Sequence, residues 1–306
     1  MIPCEEMFMR INRIVAGALV SLAVVSRPVM AQAPSALLVE VDWLAQHLND
    51  RGLVVLQVGD KSAYDSGHIP GARFITEDDV AAPHDHSNPK DLMLELPPVD
   101  ALRAKVASFG ISDDSWIVVY FGRSGGIPSA ARIIFTLDYL GLGERTSLLN
   151  GGLGAWQQAG KAVNSTVPAA VVGKLSARPP KNVVVDAEFV KSVKQRPSHV
   201  LVDARAPVFY TGLEPTVNGK RGHIPGAVNI PFTQITDNEL RIDRARVETL
   251  FRNAGVKPGD TVVVYCHVGQ QATAVAFGAR LLGQPYVLYD GAFQDWAVNE
   301  RGAVEK

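Results

Sequence analysis

Cys266 stands between an apolar run, Thr261–Tyr265, and a segment at 272–282 whose composition favours a helix. The loop between them reads Cys-His-Val-Gly-Gln-Gln. The N-terminal end of a helix presents unpaired N–H groups and a partial positive charge, both of which stabilise a thiolate or a persulfide. The arrangement therefore predicts a nucleophilic thiol. The alternative is an inert cysteine in the core, since free cysteine is among the most buried residue types.

The N-terminal segment is typical of a cleavable secretory signal peptide. An apolar run at 14–25 follows two arginines and precedes an Ala-Gln-Ala pattern that ends at Ala33. We expect residues 1–33 to be removed and the mature protein to be periplasmic or secreted. Because Cys4 leaves with this segment, Cys266 becomes the lone thiol of the mature chain and has no internal disulfide partner.

The two halves of the chain carry the same sequence blocks in the same order. Gly-His-Ile-Pro-Gly-Ala occurs at 67–72 and again at 222–227, and the strand–loop–helix block around Cys266 has a counterpart in the first half. Such internal repetition indicates two copies of one domain. We predict an N-terminal domain at 34–162, a linker at 163–180 and a C-terminal domain at 181–306.

Short β-branched runs alternate with helix-like segments within each copy. Val200–Val202 and Thr261–Val264 are almost continuously apolar, as in strands covered on both faces. The alternation predicts an α/β fold in which each domain is a mostly parallel sheet flanked by helices. Helices at 42–49 and 187–193 are expected to open the two domains.

Composition excludes several classes of function. The chain has 306 residues and a formal net charge of −1, which argues against a nucleic-acid partner. After the first thirty residues no apolar stretch is long enough to span a membrane. The glycine-rich stretch at 122–126 lacks the Lys-Ser/Thr ending of a phosphate-binding loop. His84-Asp85-His86 lacks nearby partners for a metal site, so we expect no metal and no cofactor.

The sequence around Cys266 also argues against a cysteine-dependent phosphatase. That chemistry needs an arginine at the sixth position after the cysteine, where its guanidinium grips the phosphoryl oxygens. Here the sixth residue is Ala272.

Taken together, these motifs resemble the two-domain rhodanese sulfurtransferases over nearly the whole mature chain. The motifs are the paired Gly-His-Ile-Pro-Gly-Ala blocks, the Val-Asp-Ala-Arg segment at 202–205, the Cys266 loop, and Tyr289-Asp290-Gly291 followed by Trp296. The resemblance implies two rhodanese-like domains with Cys266 as the catalytic residue. Phe121 occupies the cysteine position of the N-terminal copy, which implies an inactive domain.

The resemblance further implies that a Cys266 persulfide carries sulfane sulfur from a small anionic donor, with thiosulfate the first choice, to cyanide or a thiol acceptor. We expect the loop backbone and nearby cations to bind substrate. The candidate substrate-binding residues are Arg205, Arg221, His267, Val268, Gly269, Gln270 and Gln271. For Arg205, a structural ion pair with Asp203 or Asp290 is the alternative.

Two departures from the family pattern bear on the donor. Val268 stands where thiosulfate-using relatives have a loop lysine, and Phe209 stands where they have a second arginine. His267, which is only partly charged near neutral pH, replaces a loop arginine. A 3-mercaptopyruvate donor and a sulfur-carrier or binding module without turnover therefore stay open as alternatives. His68 and His223 are expected to be structural, and the protein to be a monomer.

Overall fold

The computed structural model describes residues 37–85, 87–88, 90–123, 126–216 and 219–306. The predicted signal peptide, Cys4 and His86 lie outside these described residues. So do residues 124 and 125 of the glycine-rich loop. In the described part of the chain, no helix combines the length and apolarity needed to cross a membrane.

The first sheet has five parallel strands in the order β1-β5-β4-β2-β3. Its strands are β1 (Leu38–Val39), β2 (Leu53–Val58), β3 (Arg73–Ile75), β4 (Trp116–Phe121) and β5 (Thr146–Leu149). Its helices are α1 (Val41–His47), α2 (Lys61–Ser66), α3 (Val99–Ser108), α4 (Ile127–Tyr139) and α5 (Gly152–Gln158).

The second sheet repeats this topology, with five parallel strands in the order β6-β10-β9-β7-β8. Its strands are β6 (Val184–Val185), β7 (His199–Asp203), β8 (Val228–Asn229), β9 (Thr261–Tyr265) and β10 (Tyr286–Tyr289). Its helices are α6 (Ala187–Ser192), α7 (Pro207–Tyr210), α8 (Arg244–Asn253), α9 (Gln270–Leu282) and α10 (Ala292–Val298). The predicted α/β fold, with two mostly parallel sheets flanked by helices, is confirmed.

The element bounds differ from the sequence-based expectation by one or two residues. Helix α9 begins at Gln270 instead of Ala272, because Gly269 at φ +86° turns the chain directly into the helix. Helix α1 ends at His47 instead of residue 49. Helix ends are set by local capping geometry that composition specifies only loosely.

Helices α4 and α9 pack against each other and join the two domains. One apolar cluster runs through both, and it includes Ile134 and Phe135 of α4 with Ala276 and Phe277 of α9. Both helices are therefore buried along most of their length. The packing brings the N-terminal end of α9, next to Cys266, against the N-terminal domain.

Candidate active site around Cys266

Cys266 follows the last residue of β9 and is fully buried. The central position of β9 in the sheet places the residue at the carboxyl edge, where open α/β sheets bind ligands. The loop behind it is held by α10, since the Phe293 N–H donates to the Cys266 carbonyl at 2.9 Å and the Gln294 N–H donates to the His267 carbonyl at 3.0 Å. The loop is thus anchored to its own domain on the side away from α9.

Gly269 gives this loop its shape. Its φ of +86° lies in the left-handed region, and an added Cβ would approach the Arg132 Nη1 at 3.1 Å and the Asp290 carbonyl oxygen at 3.2 Å. A side chain there would strain the backbone and crowd a buried arginine. The turn at Gly269 lets successive N–H groups curl around the sulfur.

The thiol lies within a ring of backbone donors. N–H groups of Val268, Gly269, Gln271 and Ala272 interact with the sulfur and favour its charged form. Burial opposes them and is the larger effect, so the pKa of Cys266 is raised above its usual value. The resting residue is therefore a neutral thiol in a cradle that stabilises negative charge once the proton has left.

Arg205 is fully buried and ion-paired with Asp203. Its Nε lies 2.9 and 3.0 Å from the two Asp203 carboxylate oxygens, and its Nη2 donates to the Gly222 carbonyl at 2.8 Å. The Phe293 ring lies 4.1 Å below the guanidinium. Of the two sequence alternatives for an ion-pair partner, the structure selects Asp203.

The pairing leaves part of the Arg205 guanidinium unused. Nη1 is buried and has no hydrogen-bond partner among the described residues. Arg205 and Cys266 also interact electrostatically. A buried donor without a partner costs free energy. Substrate binding by Arg205 stays a prediction.

His267 is not a cation in this structure. Burial and the neighbouring Arg205 lower its pKa to about 4, while Asp203 acts weakly in the opposite direction. Its ring meets Phe209 edge-on, with 4.7 Å between centroids. The partial charge expected from the sequence is thus absent near neutral pH, and Phe209 and His267 form an uncharged wall.

The remaining candidate residues are placed differently. Val268 is half-buried and contributes its backbone N–H to the cradle. The Gln271 Oε1 is buried and has no partner among the described residues. The exposed Arg221 donates to the carbonyls of Gly212 and Leu213, and among the described contacts it has none with the Cys266 loop. Substrate binding by Arg221 stays a prediction.

The N-terminal domain supplies residues that the sequence did not single out. The Gln270 Nε2 donates to both carboxylate oxygens of Glu77, at 2.8 and 2.9 Å. Burial raises the pKa of Glu77, and the bond from Gln270 works against that rise. Arg132 donates to Asp290 at 2.8 Å and to the Leu94 carbonyl.

One signal in the sequence points to Arg132. It is a charge flanked on both sides by apolar residues of α4, where a buried arginine needs a partner. Glu77 has no such signal, because it is the first of three consecutive acidic residues.

A model of the rhodanese-like domain matches the chain twice, at residues 40–159 and 186–299. The chain belongs to the rhodanese family. Each matched region spans four of the five strands of one sheet and begins just after its first strand, so each domain is a rhodanese-like unit, and the second contains Cys266.

Sequence relatives of this rhodanese family member include enzymes named for two sulfur donors. It is 30% identical over 281 residues to the 3-mercaptopyruvate sulfurtransferase of Escherichia coli strain K12, covering 87% of this chain and 97% of that protein. It is also 30% identical over 279 residues to the thiosulfate sulfurtransferase of Pseudomonas aeruginosa, covering 88% and 97%. These relatives support sulfurtransferase activity and do not separate the two donors.

Solved structures agree on the fold. The crystal structure of the 3-mercaptopyruvate sulfotransferase SseA from Escherichia coli superimposes with a TM-score of 0.72 at 27% identity, covering 84% of this chain and 98% of that one. Wild-type EanB superimposes with a TM-score of 0.76 at 22% identity, covering 88% and 69%. The second likeness supports the fold alone.

Proposed function

We propose that this protein is a sulfurtransferase that takes sulfane sulfur from thiosulfate, holds it as a Cys266 persulfide and passes it to cyanide or a thiol. The observation that carries the proposal is the convergence of four backbone N–H groups on the buried Cys266 sulfur at the start of α9. Fixed dipoles of this kind stabilise an anionic sulfur without having to reorganise during the reaction.

In the loading step, the Cys266 thiol loses its proton to solvent buffer and the thiolate attacks the outer sulfur of thiosulfate. A sulfur–sulfur bond forms to Cys266, the donor's own sulfur–sulfur bond breaks, and sulfite leaves with its electron pair. The terminal sulfur of the persulfide then carries the negative charge. The N–H groups of the loop stabilise the thiolate before this step and the persulfide anion after it.

In the unloading step, cyanide or a thiolate attacks the terminal sulfur. The product leaves as thiocyanate or as a new persulfide, and the Cys266 thiolate is regenerated. No cofactor takes part in this scheme, because the sulfur–sulfur bond of the donor supplies the electrophile. The two half-reactions make the mechanism ping-pong.

The Nη1 of Arg205 supports an anionic donor, because it is a buried cationic N–H group that has no partner among the described residues and belongs to a side chain that interacts electrostatically with Cys266. The neutral His267 and the apolar Phe209 and Val268 add no further charge. A donor with one compact anionic end suits this site. 3-Mercaptopyruvate, which presents a carboxylate, is the second candidate, supported by the relatives that bear that name.

We also propose that the mature protein acts as a monomer outside the cytoplasm. The apolar run at 14–25 and the Ala-Gln-Ala pattern that ends at Ala33 support export. The two domains pack against each other through α4 and α9, so the site is lined from both domains of one chain.

The test is thiocyanate formation from thiosulfate and cyanide by the mature protein, beside Cys266→Ser. We expect activity in the wild type and none above background in the variant. 3-Mercaptopyruvate is offered in parallel. Turnover with this donor alone would replace thiosulfate in the proposal. With both donors inactive and no sulfur atom added to Cys266 by mass spectrometry, the enzyme proposal would fail.

A further inference from the structure

A cavity lies in the C-terminal domain on the sheet face opposite α9. It has a volume of about 430 Å³ and lies between α6, the start of β7, the turn at 224–226 and the chain after α10. Side chains of α9 pack with Val262 and Val264, whereas the cavity floor packs with Leu201 and Val263. Since alternate residues of a strand face opposite sides, the sheet separates this cavity from α9.

The floor of the cavity is apolar and its rim is cationic. Val190, Val193, Ile224 and Trp296 are buried members of one apolar cluster that line the floor. The cationic side chains at the rim are Lys191, Lys194, Arg196 and Arg301. The Glu305 carboxylate lies beside this rim, next to Lys194 and Gly226.

The rim cations differ in how far they are neutralised. Lys191 pairs with Glu188 at 2.7 Å, and Lys194 lies 3.5 Å from Glu305. Arg301 pairs with Asp295 at 3.0 Å. Arg196 has no carboxylate partner among the described residues. Its Nε donates to the Ser192 hydroxyl at 2.7 Å, and its guanidinium stacks over Phe189 at 4.2 Å. The stacking holds the planar group in place with N–H donors to spare.

The N-terminal domain carries different residues at the position of this cavity. The segment from the residue before α1 to the start of β2 has the same length as the segment from the residue before α6 to the start of β7. The two segments therefore align without a gap. The aligned pairs are Lys191 with Ala45, Lys194 with Leu48, Arg196 with Asp50, and His199 with Leu53. Leu48 and Leu53 pack onto the apolar core of their domain.

The cationic rim is therefore a property of the second copy's sequence. In the N-terminal domain, leucines at the aligned positions pack onto the core. In the C-terminal domain, a lysine and a histidine stand at these positions and leave space above Trp296. Cavities of roughly 300 to 1,000 Å³ with apolar walls and a few placed polar groups are typical of small-molecule sites.

We propose that this cavity binds a small amphiphilic anion, with its apolar body over Trp296 and Ile224 and its carboxylate at Lys194 and Arg196. Burial of the apolar part supplies affinity, and the two cations orient the charged end. The chain itself holds a carboxylate at this rim. The Glu305 side chain accepts from the Gly226 N–H at 2.9 Å, beside Lys194.

The test uses decanoate as the probe and isothermal titration calorimetry on the mature full-length protein. We expect saturable binding with one site. Lys194→Leu, which introduces the residue of the other copy, is expected to weaken it by about tenfold or more, because it removes a charge and fills space. Lys174→Leu, at an exposed lysine of the linker, is the matched control and is expected to bind like the wild type.

Two further measurements make the outcome decisive. Decanol, which lacks the charge, is expected to bind at least about tenfold more weakly. Thiocyanate formation by Lys194→Leu is expected to match the wild type, which shows that the variant is folded. The proposal is overturned by absence of saturable binding, by equal affinity for decanol, by equal loss in both lysine variants, or by binding of acidic peptides with no response to decanoate.

Discussion

The two domains share the contacts that hold the fold and differ at the positions that do chemistry. In each, a tyrosine hydroxyl at the centre of the sheet accepts the N–H of the isoleucine in the Gly-His-Ile-Pro turn at 3.0 Å; the tyrosine is Tyr120 in one copy and Tyr265 in the other. In each, the histidine of that turn lies 2.8 Å from a tyrosine carbonyl and stacks on the same tyrosine ring. These groups belong to the architecture.

The polar groups around the thiol occur in one copy alone. Strand pairing aligns Phe121 with Cys266 and Gln57 with Asp203, which places Gly59 at the position of Arg205. The buried Phe121 packs where the sulfur would be, and the Gln57 Nε2 has no partner among the described residues. Loss of the thiol in the first copy thus accompanies loss of the ion pair beside it.

Moving the thiol from the C-terminal to the N-terminal domain is expected to have the largest effect on activity. In the double variant Phe121→Cys/Cys266→Ser, we expect thiosulfate-dependent activity below about one-thousandth of the wild type, because the transplanted thiol has neither the arginine nor the aspartate beside it. Thiocyanate formation is the measurement, and Cys266→Ser is the control. Activity within about tenfold of the wild type would show that the loop alone suffices.

Removing the strand-end acceptor in each domain compares their energetics. Asp203→Ala leaves the fully buried Arg205 without its counter-ion, so we expect a loss of about 3–5 kcal/mol in the free energy of unfolding. Gln57→Ala removes a neutral acceptor 2.6 Å from the Tyr120 hydroxyl and should cost about 1–2 kcal/mol. Urea denaturation measures both. Equal losses would mean that the ion pair adds nothing beyond a hydrogen bond.

The ionisation of Cys266 gives the next largest effect. Because burial raises the pKa of the thiol, the thiolate fraction and the rate of persulfide formation should rise about tenfold per pH unit across the neutral range. Rapid-mixing mass spectrometry at a series of pH values measures this rate. His267→Gln should show the same profile, since the His267 pKa of about 4 keeps that ring neutral there. A rate that is already flat near neutral pH would contradict a raised pKa.

The turn histidines should give the smallest and most similar effects. His68→Asn removes two ring hydrogen bonds and a stacked ring, and His223→Asn removes one hydrogen bond and a stacked ring. We expect each to lower the free energy of unfolding by about 1–2 kcal/mol. Thiocyanate formation should stay within about threefold of the wild type in both variants. A large loss of activity in His223→Asn alone would give that residue a part in the reaction.

The sequence by itself determined the domain repeat, the parallel sheets and the strand–loop–helix setting of Cys266. It also determined that Phe121 stands at the cysteine position of the N-terminal copy. These features follow from local patterns: apolar runs, turn residues and their order along the chain. The charge of His267 and the thiol state of Cys266 did not follow, because burial changes the cost of a charge and depends on residues far away in sequence.

Tertiary structure alone decided which groups meet. Glu77 reaches Gln270 and Arg132 reaches Asp290 across a domain boundary, at sequence separations that no local pattern encodes. It also selected Asp203 as the partner of Arg205. The packing of α4 on α9 is what brings these groups together. The spacing of residues along the chain can indicate the position of a nucleophile. The neighbours of that nucleophile, its protonation state and its accessibility to substrate depend on how the two domains pack around it.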